Sequence, residues 1–149
     1  MLKLLIASVA ALLLAAPAAA TNRSQPALLV EMNSARAHYG LAPLSLDRHL
    51  QHAASAHSRE MLQGGTFAHG AFAQRMARFS VSGRIAGENL AWGTGAQGTA
   101  HGIVVAWLNS PEHRANLLRA SFRRVGIADL VGSFQGYAGA HVVTADFAG

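Results

Sequence analysis

One segment, from Ala106 to Leu118, reads AWLNSPEHRANLL and holds the end of one helix and the start of another. Ser110 followed by Pro111 has the order of a helix start, because serine is a favoured N-cap residue and proline is tolerated at the first helical position. Glu112 places an acid in the first turn, where the helix dipole favours negative charge. We therefore predict a short helix that begins at this proline and ends near Leu118.

His113 falls in the first turn of this short helix. The positive end of the helix dipole disfavours a protonated imidazole there, and the neutral ring is the form that binds metal or accepts a proton. A nearby carboxylate such as Glu88 would orient the ring and favour the charged form instead. A histidine that only caps the helix or packs against it has the same place in the sequence. Spacing alone leaves these interpretations open.

Helical periodicity, caps and stop signals predict four further helices upstream of this segment. They are a first helix over Ala27–Tyr39, a second that Ser45 or Asp47 caps and Gly64–Gly65 ends, a third near Ala71–Phe79, and a fourth that Thr99 caps and that contains Ile103 and Trp107. The glycine-rich stretch from Gly87 to Gly98 favours a loop or short strand over a helix.

The end of the chain has a different pattern. Apolar residues between 125 and 130 and between 142 and 147 flank a connection that holds Gly132, Gly136 and Gly139, which predicts a β-hairpin with a long loop. Helices first and strands last, without regular alternation, predict an α+β domain whose helices pack on a small antiparallel sheet. The sequence contains no internal repeat and no sign of a second domain.

The first residues have the three parts of a secretory signal peptide. Lys3 gives the positive start, an apolar run follows from Leu4 to Ala16, and small residues at 18–20 suit cleavage. The run is shorter than the roughly 20 residues that span a bilayer as a helix. We therefore predict a signal peptide over residues 1–20 and a single exported domain over residues 21–149, periplasmic or secreted, with no transmembrane segment.

The chain has no cysteine and a formal net charge of +5. An exported domain without disulfides depends on packing and capping, which fits a bacterial periplasm or cell surface. The arginines are spread along the sequence without a nucleic-acid motif, so we predict no nucleic-acid partner. A local cluster is compatible with a solvated surface or with attraction to an anionic component of the cell envelope. Its members are Arg114, Arg119, Arg123 and Arg124.

Eight histidines in a chain of this length raise the question of metal binding. Those of the two N-terminal helices do not form the HExxH zinc signature. His49 and His52 have the spacing of a surface metal clip, a spacing that solvated helix faces also show. His69 and His113 differ because each lies beside a glycine or at a helix start, where a side chain can project into a cleft.

Four segments, taken together, resemble the CAP superfamily of cysteine-rich secretory proteins, antigen 5 and pathogenesis-related proteins, also called the SCP domain. They are Phe67-Ala68-His69, Gly87-Glu88-Asn89-Leu90-Ala91, the segment Ala106–Leu118 quoted above, and Val125-Gly126-Ile127. The resemblance runs in order from about Leu28 to Phe147. It implies a three-layer α-β-α sandwich with a small central antiparallel sheet and an open cleft.

The resemblance also implies a set of cleft residues. Family members carry two histidines and two glutamates there, and His69, His113 and Glu88 match three of them. The second glutamate has no match, because the segment that carries it in other members is shortened here to Thr99–Ile103. Its His101 is expected at a solvated helix position. Asn89 is expected at the cleft floor, where its amide would satisfy buried backbone groups.

Three functions are compatible with this resemblance. The first is a binding module whose open cleft takes a small lipid-like or amphipathic ligand, with zinc or another divalent metal held weakly by His69 and His113. The second is a metal-dependent hydrolase in which Glu88 acts as general base, although catalytic zinc usually has three protein ligands. The third is an envelope protein that binds an anionic partner through the arginine cluster. We expect the binding module rather than an enzyme.

Overall fold

The computed structural model describes residues 24–149, so the signal peptide predicted over residues 1–20 lies outside the described residues. The helices are α1 (Ser24–His38), α2 (Arg48–Gly64), α3 (Phe72–Arg78), α4 (Ala100–Asn109) and α5 (Pro111–Leu117), with a 3-10 turn at Gly95–Gly98 before α4. The strands are β1 (Ser45–Leu46), β2 (Ala86–Gly93), β3 (Arg124–Phe134) and β4 (Tyr137–Ala148). All five predicted helices are present.

Side-chain caps explain where two of the helices begin. The Asp47 carboxylate accepts hydrogen bonds from the backbone N–H groups of His49 and Leu50, while Ser45, the other predicted cap, lies in β1. The Thr99 side chain accepts from the backbone N–H of Gly102 and begins α4. Each cap satisfies an N–H group that has no partner within its helix.

The start of α5 differs from the prediction in one detail. Pro111 is the first helical residue and Glu112 lies in the first turn, as predicted, but the Ser110 side chain makes no capping hydrogen bond. The preorganised φ of the proline and the acid in the first turn therefore carry the helix start without the serine hydroxyl.

The four strands form one sheet in the order β1-β3-β4-β2. The short strand β1 is parallel to β3, and the other two pairings are antiparallel. The prediction of a long hairpin loop was wrong. Gln135 and Gly136, both at positive φ, make a two-residue turn of the kind that matches the strand twist, and Gly132 and Gly139 lie inside the strands.

Helices cover both faces of the sheet, so the three-layer α-β-α fold is confirmed. On one face α1, α4 and α5 enclose the main apolar core, which includes Leu28, Met32, Ile103, Trp107, Val125, Ile127 and Phe147. On the other face α2 lies across β3 and β4, and α3 follows it. None of the helices between residues 24 and 149 combines the length and the apolar character needed to cross a membrane.

Helix α2 approaches the sheet unusually closely at Gly126. A Cβ atom on Gly126 would lie 2.0 Å from the backbone carbon of Leu50, so the helix backbone rests on the strand where the side chain is missing. Next to it, the Gln51 side chain accepts from the backbone N–H of Ile127 and donates to its carbonyl oxygen. Gln51 thereby satisfies the exposed edge of β3 beyond the end of β1.

Strand β2 lies at the opposite edge of the sheet and determines where the candidate site forms. Neighbouring residues of a strand point to opposite faces. The Glu88 side chain points toward α3, where it meets Arg75, and the Asn89 side chain points toward α5. Residues of both helical layers therefore meet around this one edge strand.

Candidate functional site

A cleft of about 300 Å³ lies at the edge of β2. Its lining comprises His69, Phe72, Gly87, Glu88, Glu112, His113 and Asn116. The loop before α3 supplies one wall and the first turns of α5 supply the other. The structure thus brings His69, Glu88 and His113 into one cavity, while Asn89 is fully buried beneath it.

The His69 ring is oriented by the Glu88 carboxylate. The two side chains are in contact through Nδ1 and Oε1, which lie 2.7 Å apart. A carboxylate oxygen accepts, so Nδ1 carries the proton and the lone pair of the neutral ring is on Nε2. The Glu88 side chain is only 3% exposed, whereas that of His69 is 58% exposed. The second nitrogen of His69 is therefore the one available to a ligand.

Arg75 of α3 holds the other side of the Glu88 carboxylate, since its Nη2 donates to Oε2. Its Nη1 lies 3.0 Å from Nδ1 of the buried His57 and 3.3 Å from the carbonyl oxygen of His69. Because a guanidinium only donates, His57 accepts at Nδ1. Its Nε2 then carries a proton and donates to the carbonyl oxygen of Ala68, 2.9 Å away. Arg75 and His57 together hold the loop that carries His69.

The other wall is held by two asparagines. Nδ2 of Asn89 donates to the carbonyl oxygen of His113, at 2.8 Å. Nδ2 of Asn116 lies 3.1 Å from both the side-chain oxygen of Asn89 and the carbonyl oxygen of Glu88. The predicted role of Asn89 in satisfying a buried backbone group is confirmed, and these bonds fasten the His113 segment to β2.

Burial lowers the pKa of His113, and the positive charge that His69 acquires on protonation lowers it further. The carboxylate of Glu112 acts in the opposite direction. The carboxylate that opposes the lowering is therefore Glu112, not Glu88 as the sequence suggested. The net effect favours the neutral ring at His113.

Asp146 lies opposite Glu88 in the β2–β4 pairing and is fully buried. Neither of its carboxyl oxygens has a hydrogen-bond partner among residues 24–149. Burial, and next the negative charge of Glu88, raise the pKa of Asp146 well above its ordinary value. A carboxyl within the apolar run of β4 is the sequence signal that could have identified this residue.

The site also contains four residues that the sequence did not predict, Arg75, His57, Glu112 and Asn116. Arg75 and His57 lie on helices whose periodicity only separates a buried face from an exposed one, and their contact depends on how these two consecutive helices pack, which the sequence pattern does not specify. Glu112 and Asn116 could have been found as the neighbours of His113 on one turn of α5.

Other candidate residues lie elsewhere. The His101 side chain is 75% exposed and contacts Glu31 of α1, 3.2 Å away. Both ring nitrogens of His49 already have partners, Phe79 O and the Arg48 side chain, so the clip with His52 has no free nitrogen on its first member. In the predicted arginine cluster, Arg124 is paired with Asp47, while Arg114, Arg119 and Arg123 are exposed.

The donor set of the cleft fits a weakly held metal ion better than a structural one. His69 offers Nε2 and His113 offers a neutral ring, two nitrogen donors of the kind that zinc accepts. Glu88 is engaged by His69 and Arg75. Within residues 24–149, no group of three or more His, Cys, Asp or Glu side chains is arranged to hold a metal ion. The remaining ligands would have to come from water or from a bound molecule.

The fold and the site together describe a class of protein, an α-β-α sandwich with a histidine-lined cleft at the edge of its sheet. The model of the CAP family, the cysteine-rich secretory protein family, matches residues 29–147, and the chain belongs to that family.

Two relatives in Bacillus subtilis (strain 168) resemble this chain. The uncharacterized protein YkwD is 37% identical over 100 residues, which are 64% of this chain and 38% of that protein. The uncharacterized membrane protein YlbC is 32% identical over 109 residues, which are 70% of this chain and 31% of that protein. The chain therefore spans well under half the length of these relatives.

Solved structures share the fold. An extracellular SCP-domain protein from Bacillus anthracis str. Ames superposes with a TM-score of 0.67 at 27% identity, covering 83% of this chain and 39% of that one. An outer surface protein from Borrelia burgdorferi gives a TM-score of 0.72 at 24% identity, and the match covers 85% of this chain and 92% of that one. A cysteine-rich secretory protein from Staphylococcus aureus subsp. aureus Mu50 gives a TM-score of 0.68 at 22% identity, and the match covers 87% of this chain and 39% of that one.

Proposed function

We propose that this chain is an exported binding module that holds a divalent cation between His69 and His113 and presents it to a small ligand in the cleft. The observation that carries the proposal is the contact between Nδ1 of His69 and Glu88, which directs the proton to Nδ1 and leaves Nε2 as the donor. His113 lines the same cavity. Export is supported by the extracellular and outer-surface proteins that share the fold.

Two imidazole ligands leave most positions around a divalent cation open. When bound, the cation would supply a Lewis-acidic centre for an oxygen or nitrogen atom of the ligand. His69 and His113 would hold it, and Asn89 would keep the His113 segment in place. Because the described core is apolar and independent of the cleft, the fold should survive removal of the metal.

The arrangement favours binding over hydrolysis. A general base needs a carboxylate free to take a proton from water. Both oxygens of Glu88 are engaged, one by His69 and the other by Arg75, and the side chain is buried. Glu88 therefore acts as a positioning residue for His69, and we assign no catalytic residue.

A second surface favours an amphipathic ligand. A groove of about 280 Å³ lies between α1 and α4, and its lining includes Ala35, Tyr39, Val105 and Leu108. Val105 and Tyr39 are large apolar side chains that remain exposed there, and Glu31 and His101 add polar groups. We propose this groove as the place of the lipid-like ligand, because the cleft at His69 is lined mainly by polar side chains.

Zinc titration by calorimetry tests the cation site on the wild type, His69→Ala and His113→Ala. Each variant should lose more than the roughly 10–100-fold in affinity that removal of an outer-shell partner costs. The matched control is His52→Ala, an exposed histidine of α2, which should bind as the wild type does. Binding should weaken below about pH 6 because protons compete for the imidazoles. Unchanged binding in both cleft variants would refute the site.

Extraction and mass spectrometry of protein purified from its native envelope test the groove between α1 and α4. The wild type should carry a lipid-like molecule, and Val105→Asp should carry less of it because a charge in the groove opposes an apolar chain. Val131→Asp places the same charge on another exposed valine, on β3, and should retain the wild-type amount. Equal loss in both variants, or no lipid in the wild type, would contradict the groove assignment.

A further inference from the structure

A third and larger cavity lies between α2 and α3, and it meets the proposed cation site only through Arg75, which lines the cavity and contacts Glu88. Its volume is about 800 Å³, more than twice that of the cleft at His69. Its lining comprises Ala56, Arg59, Glu60, Gln63 and Gly64 of α2, then Ala71, Gln74, Arg75, Arg78 and Phe79 from the α3 side. Most of these residues are exposed, so the cavity is an open groove.

The groove carries two arginines without acidic partners. Arg59 of α2 and Arg78 of α3 line it from opposite sides and form no ion pair within residues 24–149. Arg78 is held by its stacking on the Phe79 ring, with the guanidinium carbon 5.5 Å from the ring centre. Arg75 is engaged by Glu88. The one carboxylate of the lining, Glu60, is 77% exposed and approaches His57 rather than an arginine.

The groove is polar because most of its lining is exposed to solvent. Arginines and glutamines line it from both helices, and small residues leave the space between them open. Two guanidinium groups that share a groove repel each other, and an anion between them would remove that repulsion. Gln63 and Gln74 add amide groups that can donate to the same anion.

We propose that the groove between α2 and α3 binds a phosphate-bearing ligand through Arg59 and Arg78. The planar guanidinium matches phosphate oxygens with two parallel hydrogen bonds, which favours this group over a simple halide ion. The cavity is far larger than a phosphate ion, so the phosphate is an ester on a larger body. Such an ester is either a free small molecule or the headgroup of a lipid.

Binding experiments on the whole domain can separate these two sources. The soluble probe is glycerol 3-phosphate, measured by calorimetry. The membrane probe is a vesicle of phosphatidylcholine with phosphatidylglycerol, compared with phosphatidylcholine alone by sedimentation. The test variant is Arg59→Gln with Arg78→Gln. The matched control is Arg48→Gln with Arg84→Gln, which removes the same charge from exposed arginines outside both the groove and the arginine cluster.

The wild type should bind at least one of the two phosphate probes. The groove variant should lose about tenfold or more in affinity, because each arginine contributes charge-assisted hydrogen bonds. The control should change by about twofold at most, since its charges act only through screened solvent. Thermal unfolding of both variants checks that the fold is retained. An equal loss in the two variants, an unaffected groove variant, or a wild type that binds neither probe would overturn the proposal.

Discussion

Two arginines are buried among residues 24–149, and their surroundings differ in kind. Arg36 of α1 is fully buried and donates only to backbone carbonyl oxygens, those of Ala42, Leu117, Arg119 and Phe122. Arg75 of α3 contacts the side chains of Glu88 and His57. The acceptors around Arg36 are neutral backbone groups, whereas Arg75 contacts the carboxylate that lines the cleft and orients His69. The first region therefore joins elements of the fold, and the second supports the candidate site.

The two regions also differ in how completely their polar groups are satisfied. Burial and the neighbouring Arg123 lower the pKa of Arg36, yet a guanidinium stays charged at any ordinary pH. All three of its nitrogens donate. Around Arg75, the Nε atom and both oxygens of Asp146 have no partner among the described residues. Unpaired buried groups cost stability, and their concentration at the cleft is typical of a functional site.

The largest loss of stability is expected for Arg36→Met. Methionine fills a similar volume but leaves carbonyl oxygens of the α5 end and the following loop without donors. Because these groups cannot change their charge to compensate, we expect a loss of about 3 kcal/mol or more in the free energy of unfolding. Urea unfolding measures it, with Arg119→Met as the exposed control. A loss of stability equal to that of the control would show that the hydrogen bonds of Arg36 do not stabilise the fold.

Arg75→Met should cost less stability and more function. The Glu88 carboxylate loses its ion pair with Arg75 but keeps His69 as a partner, so we expect a loss of about 1–3 kcal/mol in the free energy of unfolding. Zinc affinity should fall by roughly 10–100-fold, because the loop carrying His69 loses its hydrogen bond to Arg75 and the carboxylate that orients the His69 ring loses its ion pair. Arg75→Lys should restore part of the affinity. Wild-type zinc affinity in Arg75→Met would remove Arg75 from the site.

Asn89→Ala should loosen the wall of the cleft that carries His113, because Asn89 joins β2 to the His113 segment. The change leaves the buried carbonyl oxygen of His113 without its donor and should cost about 1–3 kcal/mol. Asn116→Ala is the matched control at the half-buried end of the same network and should cost less. An unchanged melting temperature in Asn89→Ala would show that the amide is solvated.

An effect of opposite sign is expected for Asp146→Asn. The pKa of Asp146 is higher in the folded chain than in the unfolded one, so the folded state binds more protons between the two values. Wild-type stability should therefore fall as the pH rises through this interval, by up to about 1.4 kcal/mol per pH unit. The asparagine variant has no titrating group at this position. Its free energy of unfolding should therefore rise relative to that of the wild type as the pH approaches neutral. Urea unfolding of both proteins across the pH range measures this difference. A stability difference that stays the same at every pH would contradict a buried neutral acid at position 146.

The comparison also explains what the sequence could predict. The caps at Asp47 and Thr99 and the stop at Gly65 act within a few residues, and all three predictions are confirmed. The family motifs located His69, Glu88 and His113. The hairpin loop was predicted too long because Gly132 and Gly139 suggest a loop, whereas strand pairing overrides that preference. Arg36 was missed because three of its partners lie more than 80 residues away along the chain, and Arg75 was missed because its side-chain partners lie on other elements of the fold.

The close approach at Gly126 fixes the thickness of one layer of the molecule. With no Cβ in the way, α2 lies near enough to β4 for Ser58 to donate to Thr144 at 2.9 Å. His57, the residue before it, reaches Ala68 from the same helix. The absence of a side chain at Gly126 thus sets the distance between α2 and the sheet, on which these polar contacts depend. An alanine at position 126 would push α2 away from the sheet. The contact between His57 and Ala68 would then lengthen, so the loop carrying His69 would be the first part to lose its support.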